Sequence, residues 1–349
     1  MKFWNQLIIY CFLSIFLFTC QSKVPSPLFI DSNYHGSADP EIIWNEAEQQ
    51  WYIYYTARRP ALENTWLRTP IGVITSKDLI NWSFKGYCKF DGEGGSKDED
   101  ETFWAPAIIA HQDKLHMFVT YKPDTTTTLG PWGGPGAIIH YEAPLTDPID
   151  GWKKVGNMHS DSLITIDASV YQTGSEFHVW YKGKVKGNKK NELFHLTSKD
   201  LYNWESQGFS KSDVFNAQVT GSGFEEAPYI FQWQDQYWLI TDPHKGLFVY
   251  QSTDGENWNF QGSILKEGGT RKFDSTMARH CSVAVIEDRA FIFYHVEPWR
   301  QYEADPKLGK KIPTYEQPLE NRRCVLQMAE LEWVDGKIVC DRNKSVFLK

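Results

Sequence analysis

Asp39-Pro40-Glu41-Ile42-Ile43-Trp44, answered after a short turn by Trp51-Tyr52-Ile53-Tyr54-Tyr55, decides the fold. A small acidic opening leads into an apolar strand, and a strongly aromatic strand returns. Such side chains favour pleated surfaces, so the pair reads as a β-hairpin. Working outward, the arrangement recurs four times. Ala105-Pro106-Ala107-Ile108-Ile109 leads to Leu115-His116-Met117-Phe118-Val119, and Asp167-Ala168-Ser169-Val170-Tyr171 to Phe177-His178-Val179-Trp180-Tyr181. Glu226-Ala227-Pro228-Tyr229-Ile230 leads to Tyr237-Trp238-Leu239-Ile240, and His280-Cys281-Ser282-Val283-Ala284 to Ala290-Phe291-Ile292-Phe293-Tyr294.

Four hairpins are followed by a third strand and an outer turn that ends in tryptophan. Ser76-Lys77-Asp78-Leu79-Ile80-Asn81-Trp82, Ser198-Lys199-Asp200-Leu201-Tyr202-Asn203-Trp204 and Ser252-Thr253-Asp254-Gly255-Glu256-Asn257-Trp258 share one pattern. Asp147-Pro148-Ile149-Asp150-Gly151-Trp152 is a looser copy, and Val334-Asp335-Gly336-Lys337 is the fifth turn. We read the tryptophans as packing between repeats. Taking Asp39, Ala105, Asp167, Glu226 and His280 as one register gives intervals of 66, 62, 59 and 54 residues. Repeats of four strands at this spacing are propeller blades. No long segment with 3.6-residue periodicity separates them, which excludes doubly wound and barrel α/β folds. The predicted fold is an all-β, five-bladed β-propeller in one domain over residues 37–345.

The first 36 residues read differently. Lys2 followed by the apolar run from Leu7 to Phe18 predicts an export signal over 1–19, with 20–36 as a linker. The run is shorter than the ~20 apolar residues a membrane span needs. Leu17-Phe18-Thr19-Cys20 resembles a lipobox, so a lipid-anchored bacterial surface or periplasmic protein and simple secretion both stand. A net charge of −8 without a basic stripe excludes nucleic acid as partner. Of the cysteines, Cys88, Cys281, Cys324 and Cys340 fall in the predicted domain, at spacings that match no zinc site.

Innermost strands of a propeller run along its axis, so residues in one register form a ring around the channel. Here the ring holds Asp39, Asp167, Glu226, His280 and Ala105. Like charges brought together raise one another's pKa, a cost better explained by chemistry than by packing. Glycoside hydrolysis asks for such a set: one protonated carboxyl for the leaving oxygen and one ionised carboxyl for water or the sugar. Only one of the adjacent Glu225 and Glu226 can face the channel. The register selects Glu226, with Glu225 left as an ion-pair partner or substrate contact. Trp104, Arg279, Trp132 on a Gly-rich loop, and His35 are further candidate sugar contacts.

These residues resemble the five-bladed glycoside hydrolases of family 43 and its relative, family 117. The resemblance to family 43 implies a general-base role for Asp39, a pKa-tuning role for Asp167 and a general-acid role for Glu226. Trp104-Ala105-Pro106 and the pair His280 with Phe293-Tyr294-His295 are similar to that family too, and place His280 beside an ion or water. Thr69-Pro70-Ile71-Gly72, Asp98-Glu99-Asp100-Glu101 and Trp180-Tyr181-Lys182-Gly183 look more like family 117. That family has a His-Glu pair where this chain has Glu225-Glu226, and a longer N-terminal extension.

The expectation is therefore a hydrolase of terminal or branch sugars on a plant or algal polysaccharide, needing no cofactor, with a structural calcium near the channel as an option. Retaining relatives in families 32 and 68 carry Asn-Asp-Pro and Arg-Asp-Pro motifs. Ala38-Asp39-Pro40 and Ile166-Asp167-Ala168 stand in their place and favour inversion, with a carboxyl separation of ~6.5–9.5 Å. An anhydrogalactosidase, a retaining fructan-type hydrolase, a phosphorolytic propeller and a non-catalytic carbohydrate-binding propeller stay open on the residues alone.

Overall fold

A computed structural model describes residues 21–348 apart from 63, 95–100, 125, 127, 130–131, 159–161, 188–189 and 211. The expected export signal, Cys20 and residues 98–100 of the acidic stretch lie outside the described residues. Five four-stranded antiparallel sheets follow one another along the chain as blades, each ordered from axis to rim. Their inner strands are Ser37–Asn45, Thr102–His111, Ser162–Thr173, Glu226–Trp233 and Arg279–Ile286. Among the described residues the helical content is one four-residue turn, Ala217–Thr220, and two short 3-10 turns. None of these is long and apolar enough to cross a membrane.

The core is divided into five apolar clusters, each shared by two neighbouring blades. The tryptophans knit them together. Trp82 meets Phe293, Trp152 meets Tyr54, Trp204 meets Phe118, and Trp258 meets Trp180, all edge-on at 76–89°. In every case the partner lies on the second strand of the preceding blade. Blade five lacks a tryptophan after its outer turn, and Trp333 at the end of its third strand meets Trp238 at 90° instead. Edge-to-face geometry suits the ring quadrupoles. The outer turns explain their own sequence: Asp78 accepts the backbone N–H groups of Ile80 and Asn81, as Asp200 and Asp254 do in their copies.

Residues 21–36, expected to be a linker, are built into the ring. Ser22–Lys23 pairs with Phe347–Leu348, and Phe29 bridges Leu326 of blade five. Val24 and Leu28 are buried in the cluster shared by blades five and one. An apolar pair in this segment has somewhere to go only if it covers the seam. Cys88, Cys281, Cys324 and Cys340 are free thiols, the first three buried.

The register of the ring needs one correction. Each inner strand carries an irregularity near its start, and one residue there takes a left-handed conformation: Asp39 (φ 50°), Ala105 (45°), Asp167 (55°), Ala227 (54°) and His280 (24°). The equivalent of Asp39 in blade four is thus Ala227, not Glu226. Glu226 faces Asp242 on the next strand, as Ala38 faces Thr56, Trp104 faces Thr120, Ile166 faces Lys182 and Arg279 faces His295. The signal was present in Asp39-Pro40, Ala105-Pro106 and Ala227-Pro228: the proline follows the bulged residue. With a residue inserted into the strand, simple alternation no longer decides which side chain faces the axis.

Candidate active site

A bulge leaves its N–H out of the sheet, and each of the five finds an acceptor. Asp39 N donates to His295 Nδ1 (3.1 Å), Ala105 N to Thr56 Oγ1 (2.8 Å), Asp167 N to Thr120 Oγ1 (2.9 Å) and His280 N to Asp242 Oδ2 (3.2 Å). All four acceptors occupy one position, on the second strand of the preceding blade. In blade three that position holds Lys182, whose ammonium has no lone pair to offer. The N–H of Ala227 turns instead to Asp167 Oδ2 at 3.2 Å. That exchange ties Asp167 to the backbone beside Glu226, and frees Lys182 to bond Glu226 Oε2 at 3.1 Å.

Asp39, Asp167 and Glu226, from three different blades, open on one funnel of about 770 Å³. Asp39 is 7 % exposed, with Arg58 Nη2 at 3.3 Å, His280 Nδ1 at 3.4 Å and His295 Nδ1 at 3.6 Å from its Oδ1. Burial pushes its carboxyl up, but Arg58, the two histidines and a hydrogen bond from Thr56 together outweigh this and hold it below the usual value. Asp39 is therefore an ionised carboxylate.

Asp167 and Glu226 divide differently from the sequence expectation. Burial and the neighbouring Glu226 charge push Asp167 up to about 6. Burial would raise Glu226 as well, yet it touches Lys182, His244 (Nε2 to Oε1, 2.6 Å) and Arg279 (3.6 Å), which hold it well below the usual value. Below about pH 6 a proton on this pair sits on Asp167, and Glu226 is the charged partner.

Arg279 and His280, adjacent in sequence, face Glu226 and Asp39 respectively. Arg279 is aimed by Asp242, whose Oδ2 accepts its Nε at 2.6 Å, and by Glu297 at 3.5 Å. Trp104 lines the funnel with its Nε1 donated to Trp66 O at 2.7 Å. Trp132 lines it too, half-exposed and 4.5 Å from the Trp66 ring. Two predicted contacts are placed elsewhere. Glu225 is fully buried behind the site, accepting from Thr241, Tyr250 and Phe215 N, because the strand sends adjacent side chains opposite ways. His35 is an exposed turn residue, absent from the funnel lining, whose carbonyl accepts Cys324 N.

Sequence reasoning missed Arg58, Lys182 and His244. The first two lie at the ends of aromatic second strands, and the repeat opposite each bulge would have found Lys182. His244 follows Asp242-Pro243 on a loop that no repeat predicts. A calcium beside His280 does not fit these residues. Calcium takes six to eight oxygens, and the carboxylates beside His280, Asp39 at 3.4 Å and Asp242 at its N–H, are already engaged by Arg58 and Arg279. Among the described residues Glu226, Asp242 and His244 come within 4.8 Å of one another, but Arg279 and Lys182 already bind the two carboxylates.

No curated protein sequence matches this chain. Solved structures share the fold at low identity. A thermostable family-43 glycoside hydrolase is 17 % identical, with 88 % of this chain and 93 % of that one covered at a TM-score of 0.59. The Lactobacillus brevis α-L-arabinofuranosidase is 16 % identical, over 93 % and 98 %, at 0.61. A Bombyx mori family 32 β-fructofuranosidase is 15 % identical over 89 % of this chain and 66 % of that one, at 0.59. The family model for Glycosyl hydrolases family 43 matches residues 34–241, more than half of the sequence and the whole of the stretch that carries Asp39, Asp167 and Glu226. A three-carboxylate funnel on a five-bladed ring is what that match leads one to look for, and the chain belongs to glycoside hydrolase family 43, enzymes that cleave O-glycosyl bonds.

Proposed function

We propose that this enzyme removes terminal or branch sugars from a plant or algal polysaccharide with inversion at the anomeric carbon. The observation that carries the reading is the meeting of three acids from three blades in one funnel, with Asp39 held low beside Arg58 and Asp167 pushed up beside Glu226. Asp39 takes a proton from water as that water attacks. Glu226 gives a proton to the leaving oxygen, and Asp167 supplies it. A sugar that displaces the exposed His244 ring would favour that transfer, because Glu226 Oε1 would lose its 2.6 Å contact with His244 Nε2. The pocket form of the funnel, floored by the ring and walled by Trp104 and Trp132, suits the end of a chain or a side branch.

Proton NMR of fresh digests from plant and algal oligosaccharides tests this directly, since the first anomer seen reports the stereochemistry. Release of the inverted anomer supports the scheme; a retained anomer makes one carboxylate a nucleophile and refutes it. The proton on the Asp167–Glu226 pair sets the basic side of the profile, so kcat/KM should fall as pH rises through about 6.

We also propose export by the 1–19 segment with lipid attachment at Cys20. Palmitate labelling of the full chain, lost in Cys20→Ser, is the expected result. Equal labelling of both would end that reading.

A further inference from the structure

We propose that the sugar taken into this funnel carries an anionic substituent, a carboxylate or a sulfate ester, which docks on Lys122 beside Trp104. The inference rests on the glycosidase reading and adds the chemical class of its substrate.

Six cationic side chains line the funnel against three acids, on a chain whose net charge is −8. Most of the cations have work already. Arg58 serves Asp39 and Glu297, Lys182 serves Glu226, Arg279 serves Asp242 and Glu226, and Arg300 serves Glu297. Adding the buried Asp242 and Glu297 to the acids still leaves the cations in excess.

Lys122 differs from these four: among the described residues it forms no ion pair, although Asp167 is near enough to act on its charge. It is 3 % exposed, its Nζ donates to Gly134 O at 2.5 Å, and it stands 4.9 Å from the Trp104 ring centre. An ammonium has three N–H donors, and these contacts satisfy one fully and a second through the ring face. Burial, with the nearby Lys182 ammonium, outweighs the attraction of Asp167 and pushes the Lys122 ammonium down to about 8, a cost that an incoming oxyanion relieves.

The position is also held in place. Gly133 and Gly134 are left-handed (φ 69° and 73°), and a Cβ on Gly133 would come within 2.7 Å of Asp124 O and 3.2 Å of Lys122 Cβ. The loop is thereby pressed onto the Lys122 stem, so its carbonyl fixes the ammonium. That same loop presents Trp132 to the funnel. A sugar ring between Trp104 and Trp132 would bring a charged substituent to Lys122. The competing view is that Lys122 only staples the loop.

Two measurements decide between them. Calorimetry on the wild type compares D-galacturonate, galactose 6-sulfate and galactose. The expected result is that one charged sugar binds roughly ten- to hundred-fold tighter than galactose, the range of a charge-assisted hydrogen bond, and which one wins names the substituent. Turnover is then measured on an oligosaccharide panel in which each charged member has a carboxyl-reduced or desulfated twin. The ratio of kcat/KM, charged over neutral, should exceed ten in the wild type and collapse toward one in Lys122→Met. Equal binding of all three sugars, or a ratio near one in the wild type with brisk cleavage of neutral chains, overturns the proposal and leaves the glycosidase intact. A charged sugar that binds with no cleavage of any member would sink the hydrolytic reading and keep the anion site.

Discussion

At the scale of single residues, the bulged backbone places a carboxylate where the Arg58 guanidinium and two imidazoles converge. Asp39 should be indispensable: Asp39→Asn keeps the shape, removes the base, and should lower kcat by roughly 10²–10⁴-fold with little change in melting temperature. Glu41, one turn of the pleat below it, is a different case. It is buried and accepts the Ile108 N–H at 3.1 Å, and burial pushes it up to about 8 from an ordinary 4.5. Between about 4.5 and about 8 the folded chain holds a proton that the unfolded chain has lost. Stability therefore falls as pH rises through that window, by at most about 1.4 kcal/mol per unit. Glu41→Gln keeps an acceptor for Ile108, so thermal melts of this variant should lose that slope and exceed the wild type at pH 8. The acids were legible from sequence because their kind is unusual in a repeating apolar strand. Their protonation was not, since Lys182 and His244 reach Glu226 from other elements.

At the scale of strands and turns, the hairpins and outer turns could be read almost residue by residue. Aromatic alternation and the Ser-Asp-Asn turns are local, and local rules suffice for them. The bulges could not be placed by alternation, which is why Glu226 was assigned to the position of Ala227. The tryptophans were readable as packing, though not which ring each one meets. Trp152 is fully buried, with its Nε1 donated to Pro148 O at 3.1 Å and its edge toward Tyr54. Trp152→Ala should cost about 3–5 kcal/mol, read by denaturant titration. Because the contact is at the rim, turnover of the folded fraction should stay near the wild-type value.

For the molecule as a whole, closure of the ring depends on residues whose sequence suggested a mere connection. Val24 and Leu28 share an apolar cluster with Phe291, Phe293 and Leu326 of blade five and Ile42 and Ile53 of blade one. Replacing both by alanine should lower stability by about 2–5 kcal/mol, seen as an earlier thermal transition. This was illegible because the pattern is too short for a periodicity, and its partners lie about 300 residues away.

The same seam runs through the chemistry. Asp39 belongs to the first blade, while His280 and His295 beside it belong to the last. The five interfaces are alike in their rings and apolar filling, but this one is bridged by residues 21–36, held to blade five through a few backbone bonds, and not by a loop between consecutive blades. Warming should part it first, and Asp39 would lose its companions while most of the sheet stood. Heat would then silence the enzyme several degrees before circular dichroism registers any loss of strand. Chemistry would act as the earliest thermometer of the fold.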